Sequence, residues 1–271
     1  MVITLVYMLA GWNRLTSIGI HVWVRIGIFA LMLGFAKLDK KPERPLLKLI
    51  RKIYPLFLLG YFYKETGYLN NIIFDYFDPW FVKLEEFLWG FQPSLQFSKL
   101  FPEKWFSELM NFGYFFYYLL TLGTALAVYR YKPEKTEKTV FIIIASFLLY
   151  YLFFSFFPVE GPQFYFPEEH AKAVDGYFFS YLVKMVQAVG ETQTGAFPSS
   201  HVGMSIVFLL LNYRYARKVF WLILIPVIVL WFATVYIKAH YLIDTLIGFP
   251  SGIFVYWLSD KLYGYLKKEV T

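Results

Sequence analysis

The 271-residue chain contains no cysteine. Disulfides, thiolate metal centres, iron–sulfur clusters and cysteine nucleophiles are therefore excluded, and the redox compartment cannot be read. The chain is also poor in charge, with 17% Asp, Glu, Lys and Arg, where a soluble protein carries about 25%. Histidine is scarce, at four residues. No glycine-rich nucleotide loop, His-Glu-x-x-His zinc motif or paired-carboxylate signature occurs, so the sequence calls for neither a metal nor a cofactor. The stretch from Met1 to Trp12 lacks a basic segment and no small-residue cleavage site follows, so no signal peptide is expected. What is abundant is apolar: 58% of residues are hydrophobic and 23% aromatic. A membrane span takes roughly 20 apolar residues, so about six or seven spans would use half of the chain or more. Any chemistry must then sit in or between helices.

Apolar runs place spans at about 17–36, 53–74, 112–129, 139–157, 200–213, 219–237 and 240–263. The first is interrupted by His21 and Arg25, and the second is weakened by Lys64, Glu65, Asn70 and Asn71. The stretch 78–108 reads differently. Phe81, Leu84, Leu88 and Phe91 recur at helical spacing, with Lys83, Glu85 and Glu86 on the other face, as in a helix lying in the membrane interface. Gly90-Phe91-Gln92-Pro93-Ser94 divides it in two. The organisation is thus an all-α, polytopic transmembrane helical bundle in three parts. Residues 1–52 hold an N-terminal span and a basic loop, 53–265 a membrane domain with interfacial helices at 78–108, and 266–271 a basic tail.

The net charge of +7 reports topology here, not a nucleic-acid partner, because the basic residues collect in short turns. These are 37–52 (Lys37, Lys40, Lys41, Arg44, Lys48, Arg51, Lys52), Arg130 to Lys138, Arg214 to Lys218, and Lys267-Lys268. Placing all four in the cytoplasm gives seven crossings. The loop from Pro158 to Gly195, the turn Pro198-Ser199-Ser200-His201 and the approach to His240 then share the non-cytoplasmic side of a cell membrane.

Two histidines stand in informative settings. His240 and Asp244 are four apart, so on a helix they share a face and the carboxylate could orient the imidazole. Pro198-Ser199-Ser200-His201 reads as a helix start, whose N–H groups and dipole suit a phosphate and whose His could protonate a leaving oxygen. Singly, each has an ordinary reading: a self-satisfied polar pair, and a capping turn with a solvated His. Their weight comes from combination, since both lie at the same end of apolar helices with about one hairpin of two spans between them. His21 with Arg25 reads as interfacial packing, His170 as solvated loop, and Pro226 as a kink within a span.

Pro198-Ser199-Ser200-His201 and His240-x-x-x-Asp244 resemble the second and third motifs of the type 2 phosphatidic acid phosphatase superfamily of membrane lipid phosphatases and phosphotransferases. The stretches 78–94 and 157–164 look like its inositol phosphorylceramide synthase-like branch. The resemblance covers about residues 50–265. It implies six core helices with the span at 17–36 as an addition. It also implies His240 as a nucleophile forming a phosphohistidine, Asp244 as its orienting partner and His201 as general acid. The substrate would be a lipid phosphate or phospholipid, with Ser199 and Ser200 near the phosphate. The family's phosphate-binding Arg residues are absent: Gly161-Pro162-Gln163 stands in the first-motif loop, and Ala233 and Thr234 stand where the third motif opens with Ser-Arg. Lys238, Gln163 and Tyr165 are the expected substitutes, with Lys172 a further helper. Water as acceptor would make the enzyme a phosphatase; a lipid hydroxyl or inositol-type alcohol would make it a synthase. The alternative from another class is a transporter using His, Asp and Lys as a proton or headgroup path.

Overall fold

A computed structural model describes residues 2–14, 18–37, 45–172 and 174–270. Lys40, Lys41 and Arg44 of the first basic loop lie outside the described residues. Among the described residues the regular structure is helical, with no strand. In chain order the α-helices are α1 (Val2–Ala10), α2 (Ile18–Lys37), α3 (Pro45–Leu69), α4 (Asp78–Trp89), α5 (Pro93–Leu100), α6 (Lys104–Tyr131) and α7 (Thr136–Phe156). Then come the short α8 (Pro162–Tyr165) and α9 (Pro167–Ala171), followed by α10 (Phe178–Gly190), α11 (Ser200–Tyr215), α12 (Arg217–Tyr236) and α13 (Leu242–Val270).

The all-α polytopic architecture read from the sequence is what folds. Within the described residues, five helices are long and apolar enough to cross a membrane: α2, α6, α7, α12 and α13. The other two expected spans fall short of that standard. Charged Arg51, Lys52, Lys64 and Glu65 punctuate α3, and α11 has 16 residues. The shortness of α11 has a packing reason. It is the central helix, buried from Val202 to Val207 apart from Ile206 and held among α6, α7, α12 and α13. Gly203 lies against α13 so closely that a Cβ there would meet the Tyr150 hydroxyl and the Gly248 carbonyl, and one on Gly252 would meet Gly203 O at 2.5 Å. Small residues thus let two backbones touch where bulkier ones would hold them apart.

The interfacial stretch is divided as expected, with α4 closing on Gly90 at φ 75° and α5 opening on Pro93. It ends at Leu100, however, and α6 starts at Lys104 rather than near 112. The polar residues that made 104–111 read as interfacial are satisfied inside the fold. Glu108 accepts backbone N–H bonds from Tyr177, Phe179 and Ser180 at the start of α10, and Asn111 donates to Ser107 O. At the far end of the bundle, Lys138 and Arg214 both reach Asp260, at 2.6 and 3.6 Å, so two of the basic turns gather there on one carboxylate of α13.

The N-terminal helices pack on α3 through ions as well as apolar surface. Arg25 Nη2 lies 2.8 Å from Glu65 Oε2, and His21 Nδ1 lies 3.6 Å from Glu65 Oε1. His21 and Arg25, expected as interfacial packing, instead converge on one carboxylate, and Glu65, which seemed only to weaken a span, is their anchor. Likewise His170 is half-buried beside Ser107 and Lys184 rather than solvated.

Candidate active site

Three loops meet at the end of the bundle opposite the basic turns, and α4 ties them together. Asp78, fully buried, accepts the backbone N–H groups of Glu160 and Gly161 and the hydroxyl of Tyr241 at 2.9 to 3.0 Å. Gly161 sits at φ 92° where a Cβ would lie 2.8 Å from Ala239 O, so the loop 158–163 can pass behind residue 239 only with glycine there. Ala196 N donates to Val159 O and Gln163 N to Lys238 O. Glu85 accepts the Ile243 N–H at 3.1 Å, and Asp244 Oδ2 accepts that of Tyr241 at 2.9 Å. Orphan donors around the start of α13 are thereby occupied by two carboxylates. Burial raises Asp78 above the ordinary carboxylate range and Glu85 to about 7.

His240 precedes α13 by two residues, in a turn that Lys238 enters at φ 66°. Its Nδ1 is 2.7 Å from Ala196 O and 3.8 Å from Asp244 Oδ2. The expected helical His–Asp hydrogen bond is therefore replaced: the imidazole is oriented by the Ala196 carbonyl, while Asp244 caps the turn from the flank. A carbonyl only accepts, so Nδ1 carries the proton and Nε2 is bare. Burial pushes His240 down to about 4, against the opposing pull of the Ala196 carbonyl and Glu191, which keeps the ring neutral near pH 7.

His201 stands in the first turn of α11, beyond Ser199, whose hydroxyl accepts the Val202 N–H as the helix cap. Its Nδ1 is 3.0 Å from His240 Nε2. The two imidazoles, 39 positions apart, thus share a hydrogen bond in which His201 supplies the proton. The His201 ring packs at 4.7 Å against Tyr114 and 4.3 Å against Tyr117.

The other expected site residues are scattered. Ser200 lines the cavity beside His201. Lys238 is 2% exposed and turns away to donate to Ser98 Oγ on α5 at 3.0 Å; burial lowers its ammonium below the ordinary value. Its left-handed backbone reverses the direction that a helical extension of α12 would have given. Gln163 comes near, but its amide donates to Glu191 Oε2 at 2.8 Å. Tyr165 packs on Phe166. Lys172 pairs with Glu169 at 2.7 Å.

The unforeseen member is Glu191, at the end of α10. Tyr114 and Gln187 donate to its Oε1 at 2.8 and 3.2 Å, and Gln163 to its Oε2. A lone acid in a loop carries no spacing signal, so nothing in the sequence marked it. Chemically, the arrangement offers a bare, oriented imidazole nitrogen touching a second imidazole, in a water-poor recess with a cavity alongside. Residues 79–258 match the family model of the PAP2 superfamily. No curated protein and no solved structure matches the chain.

Proposed function

The chain belongs to the PAP2 superfamily, and from that premise we propose that it acts on a lipid phosphate ester through a phosphohistidine at His240. The single observation that carries this reading is the 3.0 Å contact between His240 Nε2 and His201 Nδ1, with His240 Nδ1 locked on Ala196 O. The nitrogen left without a proton is the one that faces the second imidazole, as a nucleophile and its acid must.

In the proposed reaction His240 Nε2 bonds to phosphorus and the phosphorus–oxygen bond to the leaving alcohol breaks. That alcohol takes a proton from His201, which must enter as the imidazolium and leaves neutral. Water or a second alcohol then takes the phosphorus from His240, returning a proton to His201. An in-line transfer puts nucleophile and acid on opposite sides of phosphorus, roughly 6 Å apart, so substrate must part the two rings from their resting 3.0 Å. The start of α11, with Ser200 on the cavity wall, supplies N–H groups for the phosphate oxygens. Basic turns gathered at the opposite end favour a site on the non-cytoplasmic side.

The test uses the purified full chain with phosphatidate, a prenyl diphosphate and a phosphoinositide, with and without a lipid alcohol, assayed for free phosphate and new lipid. Turnover of at least one, lost in His240→Ala, is expected. Full turnover in that variant would reject the mechanism.

A further inference from the structure

The chain lacks the family's phosphate-binding arginines, and the structure puts a carboxylate where an anion-binding site should have none. His201 and Ser200 open on a cavity of about 470 Å³ whose wall includes Tyr63, Tyr117, Tyr118, Glu191 and Lys64. Tyr117 and Tyr118 lie with ring centroids 5.8 Å apart, and the neighbouring Tyr114 hydroxyl fixes Glu191 from behind. Leu56, Leu59, Phe147, Val186 and Val189 add an apolar stretch of wall.

This set discriminates by charge. A phosphomonoester dianion meets the Glu191 carboxylate with one lining ammonium, Lys64, to offset it. A phosphodiester carries one negative charge, and an attached cation would turn Glu191 from a penalty into an attraction. A carboxylate beside several tyrosine rings suits a quaternary ammonium, through ring quadrupoles and a counter-charge. The apolar wall suits the acyl part of a lipid rather than a soluble headgroup.

We infer that Glu191, with Tyr63, Tyr117 and Tyr118, forms a cationic-headgroup subsite, so that the substrate is a phosphodiester lipid whose headgroup carries a quaternary ammonium. This rests on the functional reading above and specifies its substrate. In the transfer, His240 Nε2 bonds to phosphorus, the bond to the glyceride oxygen breaks and that oxygen takes the His201 proton. The choline-type headgroup stays on the phosphorus, held by Glu191, until water or a second alcohol displaces His240.

The test compares the full chain with its Glu191→Gln form in nanodiscs, measuring kcat/KM for phosphatidylcholine, phosphatidylinositol and phosphatidate. The intact protein should favour the choline lipid. Glu191→Gln should lower the ratio of choline-lipid to phosphatidate turnover about tenfold, a change of about 1.4 kcal/mol. An equal loss on all three lipids would make Glu191 a structural buttress and overturn the inference, as would a preference of the intact protein for phosphatidate. If no lipid is turned over, the catalytic reading falls. Binding then decides the subsite separately: dodecylphosphocholine should bind more tightly than dodecyl phosphate, with the difference lost in Glu191→Gln, and equal binding would overturn the inference. Soluble glycerophosphocholine should bind more weakly than dodecylphosphocholine; equal or tighter binding would overturn the assignment to a lipid.

Discussion

The chain buries histidine beside ionisable partners in two places, and it treats them in opposite ways. Around Glu65, His21 and Arg25 meet a single carboxylate, and the 2.8 Å Arg25–Glu65 contact matches cation with anion. Around His240 the nearest acceptor is a neutral carbonyl and the nearest ring is another imidazole, while Asp244 Oδ2 accepts the Tyr241 N–H and Glu191 accepts the Tyr114 hydroxyl, neither carboxylate pairing with a fixed cation. The first cluster closes its charges on one another, as a structural clamp does. The second leaves a nitrogen lone pair without an ionic partner, next to a cavity. Scarce polar groups at membrane depth therefore do not all mean chemistry, and what separates the cases is whether the set is satisfied internally.

The contrast breaks most sharply at the imidazoles. Exchanging His201 for Ala should lower kcat by about 10²- to 10⁴-fold, the range for a positioned general acid, while leaving the melting temperature close to that of the intact protein. A large drop in melting temperature with little change in kcat would make His201 a packing residue. The complementary substitution, Arg25→Met, strands Glu65 without its cation and should destabilise the fold by about 3 kcal/mol or more. The kcat of the folded fraction should not change. A kcat loss as large as that of His201→Ala would remove the distinction between the clusters.

Acid titration sharpens the comparison further. His240 is active only as the neutral ring, and burial holds it at about 4, below its ordinary value. The corresponding acid limb of kcat/KM should therefore fall near pH 4 rather than near 6.5. A limb at 6.5 that vanishes with His240 would show an exposed, unperturbed ring. The smallest effect concerns Glu85, raised to about 7. Its folded-state value exceeds its unfolded one, so its contribution to stability is full below about 4.5 and is lost as pH rises through about 7. The melting temperature should drop by a few degrees between about pH 5 and 7 and level off above that, and Glu85→Gln should flatten that slope. An unchanged slope in the variant would place the titrating group elsewhere.

Much of this was legible in the chain. Apolar runs and basic turns fixed the helical class, and the break at Gly90–Pro93 was plain from turn chemistry. His201 and His240 could be paired because each stands at the start of a helix, on the same side by charge. What escaped depends on contacts distant in sequence. Asp244 looked like the partner of His240 because four-residue spacing implies a shared helical face, but the helix begins only at Leu242. Lys238 looked like a phosphate cation until its left-handed backbone aimed it at Ser98. Glu85 read as the polar face of an interfacial helix, yet it is buried as a cap for a helix 158 positions away. Glu191 had no pattern at all, because three donors from separate segments define it.

Everything proposed for the site depends on His240 Nε2 taking phosphorus. Rapid-quench peptide mapping during turnover of a phospholipid substrate, held above acid pH to preserve a phosphoramidate, addresses this directly. The account predicts a phosphorus-bearing adduct on His240 that is absent from His240→Ala; an adduct on another residue, or undiminished turnover in that variant, would contradict it.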